Sequence, residues 1–330
     1  MFIHTYNSII SVENLLFIWE KFICGKRNKK DVIQFQFELG TNIRYLNMDL
    51  KDKVYTHGAY EAFNISDPKP RNIHKATVRD RVVHHLVYKE LYPYFHKRFI
   101  FDSYSCRNRK GTHRALDRFN DFARKVSENH TQTCFVLKCD IKKFFANIDH
   151  TTLIKILERH ILDVDILWLI KKILGSFYST IDGVSKANVG LPLGNLTSQL
   201  LVNIYMHEFD MFMKQELMVK YYIRYADDFV ILSNDKKYLE DILPKMHKFL
   251  DEKLHLMMHE NKVYIKTYDS GVDFLGWIHF PYHRQIRTTT KKKVARMLRH
   301  YPKQETVNSY RGLLAHGNTY KFKKRIGLTF

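Results

Sequence analysis

The tightest constraint on this chain lies at Tyr225-Ala226-Asp227-Asp228, where two acids separate two apolar runs. Tyr221-Tyr222-Ile223-Arg224-Tyr225 comes before them and Phe229-Val230-Ile231-Leu232 after, both rich in the β-branched and aromatic residues that suit strands. Runs this close together predict a hairpin with the two acids at its tip. A third run, Cys134-Phe135-Val136-Leu137-Lys138-Cys139-Asp140-Ile141, reads as a buried strand ending in a carboxylate. Taken alone, an Asp-Asp pair is an ordinary turn, because Asp favours turns. Three acids that strands could gather need a reason, since like charges repel unless cations neutralise them.

The segments between these runs have helical spacing. Ala115, Leu116, Phe119, Phe122, Ala123 and Val126 form one apolar face after Arg107-Asn108-Arg109-Lys110-Gly111-Thr112. Asp149 is placed to cap a helix whose inner face is Leu153, Ile156 and Leu157. Gly190-Leu191-Pro192-Leu193-Gly194-Asn195 reads as a turn-rich loop leading into a helix with Leu201, Ile204, Tyr205 and Phe209 on its apolar face. Lys69-Pro70-Arg71 opens a basic, partly extended stretch that turns helical near Val78. The first sixty residues read as mixed helix and polar connection. The order strand, helix, helix, hairpin, helix, strand predicts an α+β fold, with a split β-α-β antiparallel sheet and helices on one face.

Charge narrows the partners. The chain carries 54 Lys+Arg against 34 Asp+Glu, a formal +20, which favours a polyanion through phosphate neutralisation. The excess is steepest from Arg284 to Phe330, where thirteen Lys or Arg face one acid, Glu305. Val294, Met297, Leu298 and Tyr301 form one helical stripe there, ended by Pro302, and Val307, Tyr310, Leu313 and Leu314 form a second. Cys24, Cys106, Cys134 and Cys139 make no Cys-x-x-Cys pair and read as free, buried, reduced thiols in a cytoplasmic protein. No apolar stretch approaches the ~18 residues of a membrane span, so no membrane association is expected.

Asp140 with Phe144-Phe145, Gly190-Leu191-Pro192-Leu193-Gly194 and Tyr225-Ala226-Asp227-Asp228, in this order and spacing, resembles the palm of reverse transcriptases. The resemblance covers the chain from about Lys69 onward. It implies a right-hand polymerase, with an N-terminal extension over 1–60, fingers over 61–135, palm over 136–283 and a basic helical thumb over 284–330. A fingers/palm connection is expected around 155–190. It also implies an RNA-directed DNA polymerase that takes an RNA template, a DNA or RNA primer and dNTPs. Such an enzyme uses two Mg²⁺ ions, or Mn²⁺ in their place. The implied metal set is Asp140, Ile141, Asp227 and Asp228, and hard cations do prefer carboxylate oxygens.

The rest of the implied site follows residue by residue. Lys69 and Arg71 match the fingers positions that hold the triphosphate, although both also read as a solvated basic strand. Phe145 would crowd a 2′-hydroxyl and so select deoxynucleotides, whereas Phe144 reads as core. Leu193, Gly194 and Gln199 belong to the same nucleotide site. Lys262 falls where the family places a lysine near the leaving pyrophosphate, to neutralise or protonate it. An ordinary surface lysine is the alternative. Arg107, Tyr225, Gly276, Trp277, Lys291, Lys292 and Lys293 are expected on nucleic acid. Phe274-Leu275-Gly276-Trp277 matches the hairpin that grips the primer, and reads equally as core.

One stretch departs from the common pattern. Leu193-Gly194-Asn195-Leu196-Thr197-Ser198-Gln199 has Leu where most reverse transcriptases carry glutamine, and Gln where proline is common. This form resembles the enzymes of diversity-generating retroelements, which copy a template-repeat RNA with errors opposite adenine and work with a small basic accessory protein. Losing an amide beside the nascent pair would loosen geometric checking. An antiphage-defence enzyme copying a non-coding RNA and a non-catalytic RNA-binding relative stay open. A retron enzyme, which would carry Val-Thr-Gly in the last lobe, and a group II intron protein, which would show an endonuclease pattern, are less favoured.

Overall fold

A computed structural model of the chain describes residues 2–66, 70–181, 184–301 and 303–328. Four helices come first, α1 (Tyr6–Ile9), α2 (Val12–Phe22), α3 (Lys30–Phe37) and α4 (Leu39–Lys51). The hairpin of β1 (Glu61–Ile65) and β2 (Arg71–Lys75), then α5 (Val78–His96) and α6 (Thr112–Val126), lead to β3 (Phe135–Asp140). Next are α7 (His150–Glu158), α8 (Val164–Gly175), the short pair β4 (Ser179–Ile181) and β5 (Val184–Lys186), and α9 (Leu196–Met211). The chain continues through β6 (Tyr222–Tyr225), β7 (Asp228–Ser233), α10 (Lys236–Leu254) and β8 (Tyr264–Thr267). It ends with a meander of β9 (Val272–Phe274), β10 (Trp277–Phe280) and β11 (His283–Ile286), followed by α11 (Thr288–His300), α12 (Gln304–Leu314) and α13 (Tyr320–Arg325). The fold is α+β with antiparallel sheets.

The chain divides into two compact units. The first comprises Met1–Phe101, Ile141–Glu216 and Met246–Met258. Its N-terminal sixty residues are largely helical, and α2 and α3 pack against α5: Leu15, Ile18, Trp19, Phe22, Ile43, Leu46 and Leu50 are at most 1% exposed. α5 is buried around most of its circumference, as is α9, whose buried set runs from Thr197 to Asp210. The single apolar face expected of α9 is therefore too narrow a description, because neighbours cover both sides of the helix. Asp149 does cap α7, accepting from the Thr152 N–H at 2.7 Å.

The second unit comprises Asp102–Asp140, Leu217–Lys245 and His259–Phe330. Its four-stranded sheet has the order β6-β7-β3-β8, every pair antiparallel. The six apolar residues of α6 predicted from spacing are all buried, in one core with Val136, Ile223, Val230, Leu232, Phe274, Trp277 and the C-terminal helices. Val294 and Leu314 anchor α11 and α12 in that core, and Phe322 adds α13, which the stripes do not predict. Tyr301 is 59% exposed, past the end of α11, so it leaves the stripe assigned to it. Pro302 lies outside the described residues. All four cysteines are free, but Cys24 and Cys106 are exposed, so only Cys134 and Cys139 match the buried reading. No helix among the described residues is long and apolar enough to cross a membrane.

Candidate active site

Strand register brings the acids together. β3 pairs with β7 so that Asp140 lies opposite Asp228, and β7 pairs with β6 so that Asp228 lies opposite Tyr225. Directly opposed residues share a face with Cβ atoms ~5 Å apart, and like charges placed this way oppose pairing. The sequence pattern places both acids at the hairpin tip. The structure corrects this: Ala226 and Asp227 form the two-residue turn, and Asp228 is the first residue of β7. Ala226 sits at φ +57°, a left-handed position that favours glycine and costs about 1–3 kcal/mol in other residues.

The face carrying Asp140 and Asp228 runs back through Lys138 and Val230 to Val136 and Leu232, from charge into apolar core. Lys138 is 7% exposed, and its Nζ lies 3.2 Å from Asp228 Oδ1. That contact is ionic without the alignment of a hydrogen bond, since Asp228 Oδ1 is buried with no hydrogen-bond partner. Burial pushes the Asp228 carboxyl up to about 6, against the pull of the Lys138 ammonium. Lys262 Nζ donates to Asp140 Oδ1 at 2.8 Å, and the His259 N–H donates to the Asp140 carbonyl at 2.8 Å.

Sequence reasoning misses Lys138 and Arg224. The period-2 rule already places Lys138 on the face of Asp140, two residues away, and an ammonium inside an apolar strand is the signal. Arg224 is fully buried in β6 and donates to the Ala226 carbonyl at 3.2 Å and to Ser103 Oγ at 3.3 Å. It thereby ties down the left-handed turn.

The other expected residues are placed as follows. Tyr225 is half-buried and its hydroxyl accepts from Thr112 Oγ1 at 3.1 Å. Arg107 donates to the Ser103 carbonyl at 2.8 Å, a contact within its own loop. Trp277 is 2% exposed, with its ring over Gly317, so the core alternative describes it and its face is not open to a nucleic acid. Gly276, in the adjoining turn, stays half-exposed. Lys291, Lys292 and Lys293 lie in the first turns of α11. Ile141 begins the stretch assigned to the first unit, is 2% exposed and bridges Met258.

In the first unit, Arg71 is exposed at the start of β2. Phe144 is 3% exposed, the core role expected of it, and half-buried Phe145 meets it edge-on at 5.6 Å. The Phe145 carbonyl accepts from the Leu191 N–H at 2.8 Å, and the Leu193 carbonyl accepts from the His74 N–H at 3.0 Å. Gly194 has φ +105° and a Cβ there would stand 2.8 Å from the Ile73 side chain, so only glycine fits. Gln199 is half-buried within α9. Lys69 lies outside the described residues.

Among the described residues no three His, Cys, Asp or Glu side chains stand close enough together to hold a metal ion. The donors near Asp228 nonetheless suit a hard divalent cation. They are carboxylate oxygens, one of them buried without a hydrogen bond, and the ammonium on Asp140 belongs to a side chain 42% exposed.

A family model for reverse transcriptase (RNA-dependent DNA polymerase) matches residues 65–279. The chain is 24% identical over 282 residues to protein YkfC of Escherichia coli K12, covering 76% of this chain and 72% of that one. It is 24% identical over 300 residues to the group II intron-encoded protein LtrA of Lactococcus lactis, spanning 71% of this chain but 49% of the intron protein. A solved telomerase from Candida albicans, in complex with a fragment of telomeric RNA, shares the fold at TM-score 0.51 and 12% identity, over 76% of this chain and 51% of that one. With the opposed acids of β3 and β7 inside the matched stretch, the chain belongs to the reverse transcriptase (RNA-dependent DNA polymerase) family.

Proposed function

We propose that the chain copies an RNA template into DNA at Asp140, Asp227 and Asp228, as the error-prone enzyme of a diversity-generating retroelement. The observation that carries the catalytic part is the register: Asp140 and Asp228 oppose each other across β3 and β7, and Asp227 occupies the turn beside them. Opposed carboxylates repel unless positive charge offsets them, as Lys138 and Lys262 do and as a divalent ion would. Asp140, Ile141, Asp227 and Asp228 would hold Mg²⁺, or Mn²⁺ in its place. When bound, the ions supply charge for the attacking hydroxyl and the departing pyrophosphate.

The protein's own groups do the remainder. Lys138 keeps Asp228 ionised in a buried setting by opposing the cost of desolvation. Lys262, now on Asp140 and partly exposed, is the ammonium that would meet negative charge on the pyrophosphate. Lys69 and Arg71 would take the triphosphate, Phe145 would exclude a 2′-hydroxyl, and Leu193, Gly194 and Gln199 would line the nascent pair. Arg107, Tyr225, Gly276 and Lys291–Lys293 would contact template and primer. The mutagenic assignment rests on Leu193 and Gln199, whose side chains depart from the common pattern, and implies a small basic accessory protein.

Purified protein with an RNA template, a primer and Mg²⁺ is expected to extend with dNTPs and not NTPs. Loss of Asp227 should remove several kcal/mol of transition-state stabilisation, so Asp227→Ala should slow extension about 10³-fold. Normal extension by that variant would end the assignment. cDNA errors concentrated at template adenines support the retroelement reading. Faithful cDNA from one structured non-coding RNA would replace it with the antiphage-defence reading.

A further inference from the structure

His57, Asp80, His84 and Thr197 form a buried polar chain inside the first unit. Asp80 is 1% exposed and accepts from Tyr55 Oη at 2.7 Å, from the Gly58 N–H at 3.0 Å and from Thr77 Oγ1 at 2.6 Å. This fixes the segment Tyr55–Gly58 to the first turn of α5, and sets Asp80 Oδ2 3.8 Å from His57 Nδ1. His84, one turn further along α5, is 1% exposed. Its two ring nitrogens face His57 Nε2, at 3.1 Å, and the Thr197 hydroxyl.

Donor and acceptor chemistry allows the following order of protons along the chain. His57 Nδ1 lies 2.6 Å from the Gly58 carbonyl, which can only accept, so Nδ1 carries the hydrogen. In the relay His57 Nε2 is the acceptor. His84 must donate to it from Nε2, which leaves His84 Nδ1 bare. The Thr197 hydroxyl therefore donates to His84 Nδ1. Burial, with His57 and His85 nearby, lowers His84 to about 3 and keeps it neutral at working pH.

Thr197 is the second residue of α9, directly after the loop that carries Leu193 and Gly194. β2 clasps that loop from one side: the Leu193 carbonyl accepts from the His74 N–H, and Asn195 Nδ2 donates to the His74 carbonyl at 2.9 Å. The relay from α5 clasps the helix start immediately beyond it. We propose that His84 and Thr197 are positioning residues of the nucleotide site, locking the first turn of α9 and with it the placement of Leu193, Gly194 and Gln199 toward an incoming deoxynucleoside triphosphate. This rests on the reading that those three residues meet the nucleotide.

Two measurements test it. In ¹⁵N spectra of the full chain at pH 7.5, His84 is expected as the Nε2–H tautomer and His57 as the Nδ1–H tautomer. An Nδ1–H or charged His84 overturns the relay whatever the kinetics. In steady-state extension, Thr197→Val, nearly isosteric but without the hydroxyl, is expected to raise the dNTP KM about five- to tenfold with kcat within about twofold, as loss of one buried hydrogen bond would. Thr197→Ser is expected to restore the wild-type KM. An unchanged KM in Thr197→Val, beside a raised KM in Arg71→Ala, overturns the positioning role and leaves the nucleotide site standing. Failure of Ser to restore assigns Thr197 to packing and also overturns it. If Arg71→Ala leaves KM unmoved as well, the reading of the nucleotide site fails and the proposal falls with it.

Discussion

Two of the second unit's hairpins, each with a two-residue turn, use one backbone device for opposite ends. In the hairpin of β6 and β7, Tyr225 and Asp228 flank Ala226-Asp227, and only Ala226 has positive φ, at +57°. In the hairpin of β9 and β10, Phe274 and Trp277 flank Leu275-Gly276, with φ of +49° and +89°. The first turn holds an acid and flanks it with a second, which opposes a third across the sheet. The second turn drives two aromatics, both at most 2% exposed, into the core shared with α6 and the C-terminal helices. A tight turn therefore says where flanking side chains must go, and their chemistry decides whether that place is a site or a core. Arg224 marks the difference, since its guanidinium holds the Ala226 carbonyl from a fully buried position.

The largest effect that would break this contrast is at Trp277. If its ring is core, Trp277→Ala should destabilise the chain by about 3–5 kcal/mol, read from the denaturant midpoint. A variant of wild-type stability with weakened primer binding would return Trp277 to the nucleic-acid surface.

Next comes Lys138, which separates a charged face from an apolar one. The Asp228 carboxyl is raised above the usual carboxylate value to about 6, so its protonated form favours folding, and that contribution fades as pH rises through about 6. Lys138 opposes the rise. Removing it in Lys138→Met should therefore cost more stability at pH 8 than at pH 5, with a difference on the order of 1 kcal/mol. Melting in chelator at both pH values reads this directly. Equal losses would show that the ammonium does not bear on Asp228.

The smallest effects sharpen the turns themselves. Gly276→Ala meets no neighbouring atom and should cost only about 1 kcal/mol of left-handed strain, read from the denaturant midpoint. Ala226→Gly relieves strain but frees the unfolded chain, so stability should move by less than ~1 kcal/mol while extension slows. Wild-type extension by Ala226→Gly would show that the strained turn does not bear on the acids.

Much of the candidate site is legible in the amino-acid order alone. Asp140, Asp227 and Asp228 stand at or beside the ends of recognisable strands, and α6 announces its buried face through spacing, because helical periodicity records which side meets a core. Lys138 is legible in principle, through its place two residues before Asp140 in an apolar strand. Trp277 is not legible, since an aromatic beside a turn has the same sequence whether its ring meets solvent or Gly317. The N-terminal helices are only weakly marked, because their apolar residues are interleaved with charges and their burial depends on segments distant in sequence.

By itself, then, the chain determined its central strand and hairpin runs, the buried face of α6 and the residue types able to serve a cation, all of which follow from local periodicity and turn chemistry. Only tertiary structure decided that Asp228 faces Asp140, that Lys138 comes within reach of it, and that Thr197 meets a histidine 113 residues away. Register and long-range hydrogen bonds depend on which surfaces pack together, and no local pattern encodes that choice.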